Sequence, residues 1–226
     1  MLIGRDKWHK AVLCHHVSNN GECCDWIVDN MIEDIDYLGY NEVVLKGDNE
    51  NAIKYVLDKV KQKRNKVTHI QDSKPYDPQT NGLAEKGVQD FMNQLTTSKL
   101  ALEAEMGCRL NCRTPIFQWM IELVPTIINR HQSGHDGKTP HSRIYNKHPN
   151  ELVVKFGEQI LCKHTPSYER NNRNQSLASK WRKGTWVGMD VKSGMHVIIL
   201  RSDVAVRVRT IKRRPDIEKI GLRRIA

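Results

Sequence analysis

Two acidic residues stand where carboxylates can do chemistry. Asp48 closes the run Val43-Val44-Leu45-Lys46-Gly47, and Glu85 follows Asn81-Gly82 in a region of helical spacing, 37 positions later. Taken singly, each has an ordinary explanation. Asp48 suits the cap of a following helix, where its oxygen would accept from exposed N–H groups, and Glu85 suits a solvated helix face. Taken in order, a strand ending in Asp48, a helix, a strand, a loop and a helix bearing Glu85 form a constellation that can bring two carboxylates together. Carboxylates supply charge and lone pairs at once, which hard cations such as Mg2+ or Mn2+ require. Gly82 would either let another backbone approach closely or simply serve a turn.

The other candidate chemistry is electrostatic. Lys and Arg outnumber Asp and Glu by 36 to 26, for a net charge of +10, a balance that favours a polyanionic partner such as nucleic acid over an acidic small molecule. The excess concentrates toward the C-terminus. There Val206 and Val208 alternate with Arg207 and Arg209, so one strand face is expected to be buried while the other presents guanidinium groups to phosphates. Arg213 and Arg214 extend that run, and Arg223-Arg224 forms a further one. The shorter run Lys61 to Arg64 reads better as a solvated helix face than as a phosphate contact. Cys108 and Cys112 with His131 and His135 could be drawn as a zinc set, but a C-x3-C spacing beside a helix end more often reflects packing, so no zinc site is expected. No apolar run approaches the roughly 20 residues of a membrane helix. With no secretory segment and six scattered cysteines read as reduced thiols, the expected setting is intracellular, in nucleus or cytoplasm.

These residues need elements to hold them. Lys10 to Val17 is apolar and β-branched enough for a strand. Trp26, Ile27, Met31, Ile35 and Leu38 recur at helical spacing, with Gly39 where a C-terminal cap belongs. Val43 to Leu45 predicts a short buried strand, Ala52 to Val60 a helix and Val67 to Ile70 another strand. That alternation implies an α/β sheet domain. Gln71 to Thr80 carries Pro75 and Pro78 and is expected to be a mobile loop before a long helix over Asn81 to Glu105, with Glu85 one turn inside it. A buried helix should start at Pro115 behind the Thr114 cap, and Asp136-Gly137-Lys138-Thr139-Pro140 should turn into a short helix ending near Tyr145. Beyond Glu158, short β-rich runs at Gln159–Lys163, Thr185–Gly188, Met195–Leu200 and Val204–Arg209 predict a small all-β barrel. Residues 165–180 are expected to be flexible.

In the order and spacing of these motifs the sequence resembles the DDE integrase core of retroviruses and long-terminal-repeat retrotransposons. Leu45-Lys46-Gly47-Asp48-Asn49-Glu50 is similar to the strand ending in that family's second metal-binding Asp, and Gln79-Thr80-Asn81-Gly82-Leu83-Ala84-Glu85-Lys86 to its loop-to-helix motif with the metal-binding Glu. Trp119, Asn129-Arg130 and Asp136-Gly137-Lys138-Thr139-Pro140 resemble the last helices of copia-like cores, and Trp181-Arg182-x-Gly184-x-Trp186-x-Gly188 resembles the barrel that follows them. The resemblance implies a ribonuclease-H-like mixed sheet flanked by helices over residues 1–150, followed by a DNA-binding barrel over residues 151–226. It implies Asp48 and Glu85 as catalytic metal ligands for two Mg2+ or Mn2+ ions about 3.5–4 Å apart, in a protein that cuts and joins DNA and is homo-oligomeric when active. Asn81, Gly82 and Lys86 would then face nucleic acid together with Arg207, Arg209, Arg213 and Arg214.

The family pattern has a third acid, an Asp on a strand preceding the one at Lys10 to Val17, and a zinc-binding His/Cys domain before it. Neither is expected within this sequence. Asp6, in the turn Arg5-Asp6-Lys7-Trp8-His9, is not expected to replace the third acid, so this chain by itself should be catalytically incomplete, a truncated core. The alternatives are a non-catalytic nucleic-acid-binding remnant of a mobile element and a ribonuclease-H-type nuclease. The latter would not need the basic tail.

Overall fold

A computed structural model describes residues 1–17, 24–48, 50–72, 78–149, 154–163, 180–190 and 193–214. The chain groups into two compact units, Met1–Asn93 with Ile127–Pro149, and Gln94–Thr126 with Asn150–Ala226. The division therefore follows no single cut, because two helices pass from one unit to the other.

In the first unit, β1 (Leu2–Arg5) and β2 (Val12–His15) form an antiparallel hairpin. β1 was not expected from the sequence, since four residues ending in Gly and Arg carry little strand signal. Their turn is held by Asp6, whose carboxylate accepts from the His9 N–H at 2.6 Å and whose own N–H donates to Ala11 O at 2.8 Å. Lys10 takes the left-handed backbone needed to close it, at φ 64°. The outer edge of β2 is covered by one side chain. Asn129 accepts from the Val12 N–H and donates to the Val12 carbonyl, both at 2.8 Å, as a neighbouring strand would.

The next elements are α1 (Cys24–Tyr37), β3 (Glu42–Gly47), α2 (Asn51–Lys63) and β4 (Val67–Asp72), with β3 and β4 parallel and in the register Gly47↔Asp72. Gly39 ends the first helix region at φ 81°, the αL stop its position predicted. Ile27, Val28 and Ile35 of α1 and Val60 of α2 form one buried cluster, and Leu2, Val43 and Leu45 pack on it. Both strand pairs therefore lie over one helix layer. They do not make the single mixed sheet expected from the sequence: β1-β2 and β3-β4 are separate two-stranded sheets among the described residues.

Arg64, just past α2, is not on a solvated face. Its side chain is buried, and it donates to the carbonyls of Tyr40 and Val67 and to Thr68 Oγ1. It ties the start of β3 to the start of β4, so the run Lys61 to Arg64 divides into an exposed part and a structural part.

Helix α3 spans Pro78–Met106, α4 spans Pro115–His131 and α5 spans Pro140–Tyr145. α3 begins three residues earlier than predicted, so Gly82 and Glu85 lie deeper in the helix than its first turn. Of the loop expected at Gln71 to Thr80, residues 71–72 belong to β4 and 78–80 to α3, and residues 73–77 lie outside the described residues. The Thr139 side chain caps α5 by accepting from the Ser142 N–H.

The second unit carries β5 (Gln159–Lys163), β6 (Trp181–Met189), β7 (His196–Leu200), β8 (Ala205–Val208) and β9 (Ile211–Arg213), antiparallel in the order β8-β7-β6-β5-β9. β9, only three residues long, was not expected. Only two residues separate β8 from β9, so their facing ends lie within roughly 11 Å, whereas the outer strands of a flat five-stranded sheet stand about 19 Å apart. The sheet is therefore strongly curled. Gly184 permits this, since a Cβ there would run into Ile198 Cγ2 and stand 2.9 Å from Ile199 O. Trp186, Ile160, Cys162 and Ile198 fill the inner face. The expected flexible segment 165–180 lies, but for Lys180, outside the described residues.

Candidate functional site

Asp48 follows the last residue of β3 at the C-terminal edge of a parallel pair, the edge at which open α/β sheets place ligands. Gly47 fixes the approach to it. A Cβ there would stand 2.8 Å from Ile53 Cγ2 and from Leu57 Cδ1, so only glycine lets the strand end sit this close to α2. The N-cap position of α2 is Glu50, whose side chain makes no capping bond, and Asp48 lies two residues before it. Asp48 is exposed.

Glu85 lies on α3 in the same unit, exposed, with no hydrogen-bond or ion-pair partner among the described residues. Gly82 is one turn before it on the same helix face. It is helical, so the turn reading fails, and a Cβ there would meet nothing within 4 Å. Asn81 falls on that face by position, though its side chain lies outside the described residues. Lys86 is committed in part to the protein itself, pairing with Asp90 at 2.9 Å.

Asp90 anchors this helix. It is enclosed, and Arg5 of β1 donates to its other oxygen. Burial pushes its carboxyl up, but hydrogen bonds from Lys86 and Arg5, reinforced by their charges, outweigh burial and hold it below the usual carboxylate range. Gly87 permits the contact, since a Cβ there would lie 2.9 Å from Arg5 Cβ. Neither Gly87 nor Asp90 was singled out in the sequence. Their only signal was an acid and a glycine three apart on a helix face otherwise lined for packing.

Asp6 is engaged elsewhere. Both its oxygens accept from the Tyr40 hydroxyl at 3.0 Å, and His9 Nδ1 lies 3.0 Å from it. Burial and the Asp6 charge raise the Tyr40 phenol well above its ordinary value, so it remains a donor. Tyr40 enters β3 at the end opposite Asp48, about 20 Å away along six strand residues. Among the described residues, no group of three His, Cys, Asp or Glu side chains could hold a metal ion.

The four tail arginines do not act alike. Arg207 is two-thirds exposed, with Asp190 3.4 Å from its Nε, and Arg209 is exposed. The alternation with Val206 and the buried Val208 is the expected one. Arg213, with about a third of its side chain exposed, makes a two-pronged pair with Glu158 at 2.7 and 2.9 Å. The Glu158 hydrogen bond raises its already high pKa further. Glu158 is almost wholly buried, which gives Arg213 a structural task in clasping β9 to the start of β5. Arg214 reaches Gln159 Oε1 at 3.4 Å. Sequence reading took Lys163 and Lys212 only as members of the basic tail and did not single out Lys183; the strand register brings the three to one face.

No protein-family model and no curated protein matches the chain. Among solved structures it is similar to a chain in the cryoEM structure of the simian T-cell lymphotropic virus intasome in complex with PP2A regulatory subunit B56 gamma. That match has 15% identity and a TM-score of 0.44, over 94% of this chain and 71% of that one. It is also similar to the catalytic core domain of BIV integrase, with 16% identity and a TM-score of 0.37, over 64% of this chain and 91% of that one.

Proposed function

We propose that this chain is an integrase-like polypeptide of a mobile element, with a carboxylate edge for metal-dependent phosphodiester chemistry and a DNA-binding barrel. One observation carries the reading. Asp48 at the edge of β3 and Glu85 on α3 are exposed carboxylates of one compact unit, in the order and spacing of the integrase motif. As hard oxygen donors they fit Mg2+ or Mn2+, and Asp48 and Glu85 would hold the ions. Such ions supply activation of the attacking oxygen and stabilisation of the leaving one. The protein's own part is to fix the two carboxylates on rigid elements, through Gly47 against α2 and Asp90 against Arg5. The open side of Gly82 leaves room for a DNA backbone.

Two-ion chemistry of this type uses a third carboxylate. A strand paired along the edge of β3 away from β4 would bring one beside Asp48. The exposed basic residues of the second unit would serve equally a second reading, a nucleic-acid-binding remnant without catalysis. A strand-transfer assay with Mg2+ or Mn2+ separates the two, run on this chain, on a longer form if the reading frame extends upstream, and on Asp48→Asn and Glu85→Gln of each. The integrase reading expects activity that either substitution reduces at least 100-fold. Activity indifferent to both would refute the assignment of the site, and no activity in any form with DNA binding intact would leave the remnant.

A further inference from the structure

The strand register of the second unit sorts its basic residues in a way their positions in the sequence do not. Directly opposed residues of antiparallel strands share a face. Leu161 is opposed by Lys183 on β6 and by Lys212 on β9, and Lys163 is opposed by Trp181. Residues two apart on a strand also share a face, so Gln159, Leu161, Lys163, Trp181, Lys183 and Lys212 lie together. They are on the side of the sheet opposite the buried Ile160 and Cys162. Arg214 joins them through Gln159. Lys163, Lys183 and Lys212 are exposed, and no Asp or Glu occupies this face of the three strands among the described residues. Glu158, the acid nearest in sequence, lies on the other face with Arg213.

Trp181 is part of the device. Lys212 Nζ sits 4.5 Å from the centre of its ring, a cation–π contact that holds the ammonium in place above the sheet. The ring face is thereby covered, which disfavours base stacking and favours contact with phosphates.

We propose that the outer face of β9-β5-β6, with Lys163, Lys183, Lys212 and Arg214 arranged around Trp181, is the main DNA-binding surface of the second unit. Its partner is the phosphate backbone of duplex DNA, read without regard to sequence. Exposed lysines from three adjacent strands, gathered on one face of a curled sheet, match a polyanion presenting one charge about every 1.7 Å along its axis. The arginine strand β8 is the poorer candidate, since Asp190 shares Arg207. The proposal rests on the reading of this chain as a DNA-handling protein but fails separately from it, because it concerns binding and not the carboxylates.

The test is fluorescence anisotropy of the full chain with a labelled duplex and a single strand of equal length, across a range of NaCl concentrations. The triple variant Lys163→Gln, Lys183→Gln, Lys212→Gln should weaken duplex binding at least tenfold. Its plot of log affinity against log salt should be shallower by about 2 to 3, near one unit for each phosphate no longer neutralised. Trp181→Phe should keep most of the affinity and Trp181→Ala should lose several-fold, with circular dichroism and thermal unfolding confirming that each variant folds. The proposal is overturned by an unchanged slope in a folded triple variant, by a slope that flattens only in Arg207→Gln, Arg209→Gln, or by tighter binding of the single strand than of the duplex. Loss of strand transfer with this binding intact would count against the catalytic reading alone.

Discussion

Gly82 weakens the helix it stands in, and no contact among the described residues requires it. A glycine inside a helix costs about 1 kcal/mol relative to alanine, and a Cβ here would meet no atom within 4 Å. Gly82→Ala should therefore stabilise the chain by about 0.5–1 kcal/mol in urea unfolding, while lowering DNA affinity if a backbone seats against α3. Stabilisation without loss of affinity would remove Gly82 from the DNA-facing surface. Asp90 makes the opposite case. Asp90→Asn leaves Arg5 without its charged partner and should cost about 2 kcal/mol, less than the roughly 3–5 of a fully enclosed pair because Lys86 stays half in water. Since the folded-state carboxyl lies below its unfolded value of about 3.9, its contribution is present above that pH and fades as pH falls through the folded pKa. Unfolding curves at pH 7, 5 and 3 should show parent and variant well separated at the first two and converging at the third.

At the scale of elements, the carboxylate strand and the body of the helix were legible because their signals are local, an apolar run closed by Gly47-Asp48 and helical spacing beyond Asn81, whereas the helix start at Pro78 was not. β1 and β9 were not. Leu2–Arg5 and Ile211–Arg213 are too short to show alternation, and each exists because a partner strand is already in place. Charge runs mislead for a related reason, since an arginine looks the same in sequence whether it faces water, as Arg209 does, or an enclosed carboxylate, as Arg213 does. The Arg213–Glu158 pair clasps β9 to the start of β5. Arg213→Gln, which strands the enclosed Glu158 carboxylate, should lower the thermal midpoint by several degrees, and more than Glu158→Gln, which leaves a guanidinium that water can reach, with the double variant isolating the coupling. Equal and additive effects would mean the clasp contributes nothing.

At the scale of the whole molecule, the α/β class and a β-rich tail followed from the order of elements, but sheet architecture did not. Which strands bond to which depends on pairings between distant residues that leave no local trace. Asn129 illustrates this: it read as part of a family motif, and it covers the edge of β2, 117 positions away in the chain. The same distance between partners in sequence governs the closing strand of the second unit. β5 pairs with β9, and Arg213 bonds Glu158 from 55 positions away. During synthesis, at roughly 5–20 residues per second, β5 must therefore wait about 3–10 seconds for its last neighbour. Until then it presents an unpaired edge to any strand nearby. Folding of this unit should accordingly be slow and sensitive to concentration while the chain is nascent, a vulnerability set by the order in which the strands are made and not by the stability of the finished sheet.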